Sequence, residues 1–262
     1  MHKHRYEVGM HAGSSLALSL DDYFSNLSKL SKQTTGMVQI AGSMDYMTKI
    51  VTILARSDFK KVFVEILIHF SQRFSVHQKH PNVDNERLNK FLKQIDAWIE
   101  FLETGQVHAI VEKMIKQSPL LGVFLERHFA SHDSTVESSA MYQSWIRQGS
   151  KVHHQHLIFI DEQFRPIRSL IAFVLGMLRQ YRTHSTYQVG ADGFYHQTIG
   201  DEDGKLFFVS LDMSQKKTLN YFPEVSLVNQ KLLVYFYEWD FDQANIETKL
   251  VNKPLDFSMM YC

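Results

Sequence analysis

The chain has a single cysteine among its 262 residues, Cys262. One thiol cannot close an internal disulfide, so a disulfide framework is excluded and a reducing compartment is favoured. Proline (5) and glycine (12) are also scarce, which argues against a disordered or loop-rich scaffold. Neither sign of charge prevails. The 28 Lys and Arg are balanced by 28 Asp and Glu, so the molecule as a whole is no polyelectrolyte. No window approaches the roughly 18 consecutive apolar residues of a membrane span. The opening MHKHRYEVGMHAGSSLALSLDD carries positive charge and then only a weak apolar run (Leu16, Ala17, Leu18, Leu20), less than a signal peptide needs. The expected compartment is the cytoplasm.

Chemical signatures are missing as well. There is no G-x-S-x-G, no Walker sequence and no G-x-G-x-x-G, hence no phosphate cradle of a familiar kind. Fourteen histidines invite a metal reading, but no HExxH occurs. His128 and His132 share a helical spacing without a nearby thiol, and His153, His154 and His156 cluster without an acid at ligand spacing. Cys262 is the last residue of the sequence, a poor setting for a rigid Cys–His pair. Asp201-Glu202-Asp203 sits between glycines as a solvated hairpin tip, with too few oxygens for calcium. The expectation is therefore no catalytic set, no metal and no cofactor.

What is present is a large apolar complement, 44% of residues with 19 Phe and 11 Tyr, enough for a sizeable core. From about Leu20 to His184 its spacing is helical. Asp21-Asp22 is positioned to cap a helix from Tyr23, Ser43 one from Met44, and Ser57-Asp58 one from Phe59. After Pro81, Asp84 heads a stripe of Leu88, Phe91, Leu92, Ile95, Trp98, Ile99 and Leu102, which Gly105 stops. Shorter helical runs cover about 107–116, 120–129 and 136–147. Residues 152–182 read as one long central helix, bent near Pro166. From Ser185 the character changes to short β-rich runs, Ser185–Ile199, Lys205–Leu211, Lys231–Trp239 and Leu255–Tyr261, divided by turns such as Gly190-Ala-Asp-Gly193. With no helix between them the strands should pair antiparallel. The expected fold class is α+β: a helical domain over 1–184, and an antiparallel β domain over 185–262 packed on the long helix, with residues 5–10 as a candidate edge strand.

Charge is uneven along this plan. Residues 147–184 hold six Lys and Arg against two acids, whereas 185–262 hold six Lys against eleven Asp and Glu. A basic middle beside an acidic end suggests surfaces for different partners. The aromatic runs Tyr235-Phe236-Tyr237 and Phe207-Phe208 could stack nucleobases, but their sheet is net acidic and repels phosphate, so core and interface packing is the better account. What survives is a binding surface of basic side chains on a helical scaffold, with arginine suited to carboxylates of a peptide.

At Arg165-Pro166 through Met177-Leu178-Arg179-Gln180, then Gly193-Phe194-Tyr195-His196-Gln197, the sequence resembles the Z-ring-associated protein D (ZapD) family of bacterial division factors. Leu255-Asp256-Phe257 with the closing cysteine, Pro81-x-Val83-Asp84-x-x-Arg87 and Tyr6-Glu7 fit the same pattern in the same order. The resemblance implies a non-enzymatic homodimer with a helical and a β domain, acting at the division septum (the Z-ring). Such proteins bind the C-terminal tail of the tubulin-like protein FtsZ and cross-link or bundle its filaments. No membrane and no nucleic acid are implied as partners. Carried over residue by residue, Arg56 after Ile53-Leu54-Ala55 matches a basic position of the tail-binding surface. Lys231 stands where the family has arginine, and Tyr235 replaces another arginine. Arg127 matches an arginine that precedes a Pro-Gly-Gly segment absent here, where Ser131-His132-Asp133-Ser134 stands instead. Arg179 joins this set, or pairs with an acid of the sheet. Gly13, Ser15 and Ser19 fill places that are arginine in the family's first helix. Two rival readings are an adaptor for another protein and a nucleic-acid binder using the basic middle. A hydrolase is disfavoured, because no nucleophile–base pair or metal set assembles from the sequence.

Overall fold

A computed structural model describes residues 5–32, 37–129, 139–180, 183–199, 206–213, 220–241 and 246–262. Among these are nine α-helices and eight strands, helices first and strands after, an α+β architecture. The chain divides into two compact units, Met1–Leu18 with Leu175–Cys262 and Ser19–Val174. The divisions fall inside the first and the last helix.

The helical unit contains most of α1 (Ala12–Lys32) and of α9 (Arg165–Gln180). Between them run α2 (Met37–Leu54), α3 (Phe59–Ser75), α4 (Asn85–Glu103), α5 (Gln106–Gln117), α6 (Pro119–Phe129), α7 (Ala140–Ile146) and α8 (Ser150–Gln163). Each helix turns an apolar stripe inward. Met44, Met47 and Ile50 of α2, Phe59, Phe63, Ile66 and Phe70 of α3, and Phe164, Ile167 and Leu170 further on are at most 2% exposed. Burial of that kind, roughly 25 cal/mol per Å² of apolar surface, is the main force holding the unit together.

Three caps differ from the sequence reading. Asp21 and Asp22 lie inside α1, which starts nine residues earlier at Ala12. His11 caps it: its Nδ1 accepts from the Gly13 N–H (3.1 Å), while the Ser14 hydroxyl accepts from the His11 N–H (3.2 Å). This is a reciprocal capping box built on an imidazole. Ser43 is buried within α2, which begins at Met37. Asp58 does stand at the head of α3 but makes no side-chain cap. Asp84 behaves as expected, accepting from the Arg87 N–H at 3.0 Å. Gly105 ends α4 with φ +74°, a left-handed backbone suited to glycine.

The long helix expected over 152–182 is two helices, α8 and α9, meeting at Phe164. Pro166 has no N–H to return to the carbonyl four residues back, so the ladder breaks there and restarts, with proline tolerated in the first turn of α9.

The β unit holds two antiparallel four-stranded sheets. The first has the order β1 (Arg5–Gly9), β4 (Phe208–Asp212), β8 (Leu255–Tyr261), β2 (Thr183–Val189). In the second, β6 (Lys231–Phe241) pairs with β5 (Tyr221–Val228) on one edge, and with β3 (Phe194–Thr198) and β7 (Ile246–Leu250) along the other. The sheets face each other across Val209, Leu211, Phe257 and Met259 from the first and Leu232, Val234 and Phe236 from the second, with the Phe236 and Phe257 rings 4.9 Å apart. The other face of the first sheet is covered by helical ends. The Ser14 hydroxyl donates to the Phe207 carbonyl (2.5 Å) and the Cys262 thiol to the Leu178 carbonyl (3.5 Å). Strand β4 is therefore buried at four successive residues, Phe208–Leu211. The sequence reading had neither β5 nor β7. Pro223 inside β5 and two charges in the five residues of β7 obscure them, and both are edge strands, where such residues are tolerated.

Candidate functional site

The residues expected to meet a partner fall in both units. In the helical unit, α2 ends at Leu54 and α3 begins at Phe59, so Arg56 is displayed on the short turn between them. Its guanidinium is already engaged. Nε donates to Asp58 Oδ1 (2.9 Å) and Nη2 to Asp58 Oδ2 (2.8 Å), a two-point fork. That hydrogen bonding holds the Asp58 carboxyl below the usual range and the Arg56 guanidinium above its own. It also explains why Asp58 leaves the head of α3 uncapped. Lys60 and Lys61 follow immediately, both exposed and neither with an ion-pair partner among the described residues. The turn and the start of α3 thus carry three cations and one carboxylate. Arg127 lies in the last turn of α6, and its side chain is outside the described residues.

In the β unit, Arg179 of α9 forks onto Glu7 of β1, with Nε 3.1 Å from both carboxylate oxygens and Nη2 2.7 Å from Oε2. The Glu7 side chain is only 16% exposed. Arg179 therefore ties the edge strand to the helix. The basic middle of the sequence is partly internal in the same way: Arg168 pairs with Asp161 and lies over the Phe24 ring at 5.1 Å.

Lys231 and Tyr235 lie on the same strand, β6. Side chains alternate along a strand, so Lys231, Leu233, Tyr235, Tyr237 and Trp239 share one face of β6, opposite the buried Leu232, Val234 and Phe236. Direct cross-strand partners lie on that same outer face. Phe194 of β3 stands opposite Tyr235 with ring centres 4.7 Å apart. Phe222 of β5 stands opposite Tyr237 at 5.6 Å and touches Trp239 at 5.0 Å. His196 stacks on Phe194 at 5.6 Å. The result is two ring clusters on one half-exposed face, Phe194 with His196 and Tyr235, and Phe222 with Tyr237 and Trp239, with Lys231 on the same face beyond Leu233. Of the aromatic runs noted in the sequence, Phe207, Phe208 and Phe236 are core, whereas Tyr235 and Tyr237 face outward. Lys60, Lys61, Phe194, Phe222 and Trp239 were not among the partner residues expected from sequence, and Tyr237 was noted there only as part of an aromatic run. Reading every second residue of Lys231–Trp239 would have found two of the rings.

One other polar cluster joins a serine to a histidine. The Ser118 hydroxyl and His156 Nε2 are 2.9 Å apart, a nucleophile–base distance. Ser118, however, is fully buried and heads α6, with the Leu121 N–H 3.4 Å from its oxygen, while His156 Nδ1 has no hydrogen-bond partner among the described residues to orient the ring. Burial, and then the neighbouring His153, push the His156 imidazole below its ordinary value. Among the described residues no three His, Cys, Asp or Glu gather to hold a metal ion, and no helix is long and apolar enough to cross a membrane.

Comparison with known proteins gives a consistent result. The family model for ZapD, cell division protein, matches residues 18–234. The cell division protein ZapD of Coxiella burnetii (strain RSA 331 / Henzerling II) is 20% identical over 216 residues, 82% of this chain and 81% of its own length. That of Ralstonia nicotianae is 23% identical over 262 residues, 98% of each chain. That of Nitrosomonas europaea is 21% identical over 257 residues, 98% of this chain and 94% of the relative.

Proposed function

The chain belongs to the ZapD family of cell division proteins, and from that premise we propose that it is a non-enzymatic division factor that binds the C-terminal tail of FtsZ and cross-links FtsZ filaments at the septum. The observation that carries the reading is the family match across most of the chain, joined to relatives that align over nearly their whole length. In this reading the protein works as a homodimer in the cytoplasm. Two tail sites on one particle join two filaments, and repetition along the polymer raises avidity without any new contact. The partner-facing residues are Arg56, with Lys60 and Lys61 beside it, and Lys231 with Tyr235. Arg127 is retained as a candidate by its position. Arg179 contributes by holding β1 in place. Cations exposed on a turn suit the carboxylates of a flexible peptide, each exposed pair being worth at most about 1 kcal/mol, so many weak contacts are needed.

The test is sedimentation of FtsZ polymers. Wild-type protein is expected to increase the pelleted bundles, and Arg56→Glu to reduce that increase, because the reversal sets two carboxylates side by side on the α2–α3 turn. Equal bundling by both proteins takes this turn out of the partner site. Absence of bundling by the wild type contradicts the function.

A further inference from the structure

Helix α8 is apolar on both sides. Leu157, Ile160 and His153 on its inner side are at most 2% exposed. The opposite side carries Val152, Ile158 and Phe159, which are 45%, 40% and 38% exposed. A helix that is apolar all round is normally covered all round, whereas this side of α8 is open to solvent. The spacing on the open side is regular. Val152 and Phe159 are seven residues apart, about two turns, and Gln155 lies between them. Lys151 and Glu162 are eleven residues apart, about three turns, so they stand at the two ends of the same side. Both are exposed, and neither meets an opposite charge among the described residues. The adjacent Asp161, by contrast, is taken by Arg168.

We propose that this side of α8 is a contact between two copies of the chain, laid antiparallel about a two-fold axis level with His156 and Leu157. The inference rests on the homodimer of the reading above and deepens it by giving that dimer a seam. The order of the charges selects the occupant. An antiparallel copy sets Glu162 opposite Lys151 at each end of the seam and Ile158 opposite Gln155. On the flank, Phe159 of one copy comes beside Val152 of the other. A two-fold contact requires such a surface, complementary to itself. A parallel copy would set lysine on lysine and glutamate on glutamate, and an acidic peptide or a phosphate chain would meet Glu162 as a like charge. The apolar area is small, three side chains from each copy, well under that of a permanent dimer. The contact is therefore reversible and depends on concentration. That suits a cross-linker, because a filament that gathers many chains raises their local concentration.

The experiment is sedimentation equilibrium of the full-length protein over a range of concentrations. The wild type is expected to pass from monomer to dimer with a Kd in the micromolar range. Lys151→Glu or Glu162→Lys alone sets two like-charge pairs in the seam and should weaken association about tenfold. The two changes together re-form both pairs with the signs exchanged, and association should return to within about threefold of the wild type. Ile158→Ser combined with Phe159→Ser should weaken it about tenfold or more. All four positions are exposed, so circular dichroism should show the same fold in every variant. The inference is overturned if the wild type stays monomeric throughout, or if the apolar double variant associates like the wild type. It is also overturned if exchanging both charges fails to restore what either reversal removes. Bundling of FtsZ polymers by the same proteins reports separately on the division-factor reading. A wild type that dimerises through this seam but bundles nothing supports the inference and defeats that reading. An apolar double variant that still dimerises but no longer bundles assigns α8 to the filament and overturns the inference.

Discussion

Charge by itself is a poor guide at the scale of single residues. Arg56, Arg168 and Arg179 read alike in the sequence, yet each meets a carboxylate with a different consequence. Arg56 remains displayed on a turn, half exposed, with Asp58 as its neighbour. Arg168 is set among helices, and burial lowers its tendency to hold its proton. Arg179 secures a strand through Glu7. Histidine offers a sharper test of the folded core. The half-buried His156 resists protonation, so below about pH 6.5 the unfolded chain takes up a proton that the folded chain resists taking. His156 therefore leaves stability intact above its ordinary value and drains it as pH falls through the window between that value and the lowered one. Thermal unfolding from about pH 7.5 to about pH 5.5 should show a steeper fall in Tm for the wild type than for His156→Gln. Parallel curves would mean that the ring is not protected by burial.

At the scale of elements, the helix caps decide how well the chain could be read. Asp84 accepts from the Arg87 N–H at 3.0 Å and begins α4 where the sequence put it. Asp84→Ala should cost about 1 kcal/mol in chemical denaturation, since the first turn of α4 then keeps an unpaired N–H. No change beyond about 0.3 kcal/mol would show the cap to be idle. Helices α3 to α7 were legible because their apolar stripes keep a strict helical spacing and Gly105 and Pro81 punctuate them. The start of α1 was not, because a histidine caps it in place of the usual Ser, Thr, Asp or Asn. The split between α8 and α9 was readable only as a bend, since proline at one position fits either a kink or a restart. In the β unit, β6 and β8 stood out by their apolar runs. Strand β5 did not, although its hairpin with β6 is closed by a two-residue turn. Asn229 (φ 48°) and Gln230 (φ 62°) make that turn, and glutamine is a residue that rarely announces a left-handed backbone. The outer face with its two ring clusters was hidden for a related reason. It is assembled from three strands, and only the β6 part is contiguous in the sequence.

At the scale of the whole molecule, the proposed function turns on connection and not on chemistry. The family match spans 18–234; on the resemblance read from the sequence, Tyr235, Lys231, Gly13, Ser15 and Ser19 stand at places expected to be arginine. A surface that grips a tail by many modest contacts can exchange one cation for a ring and retain its partner, because no single contact carries the complex. On the proposed function, the particle would depend on the tail as a whole. The most direct measurement is co-sedimentation of this protein with polymers of full-length FtsZ and with polymers of FtsZ lacking its C-terminal tail, at equal polymer mass. The account predicts that the protein pellets with the full-length filaments and bundles them, and that it stays in the supernatant with the tail-less ones. Equal pelleting with both polymers, or with neither, would contradict it.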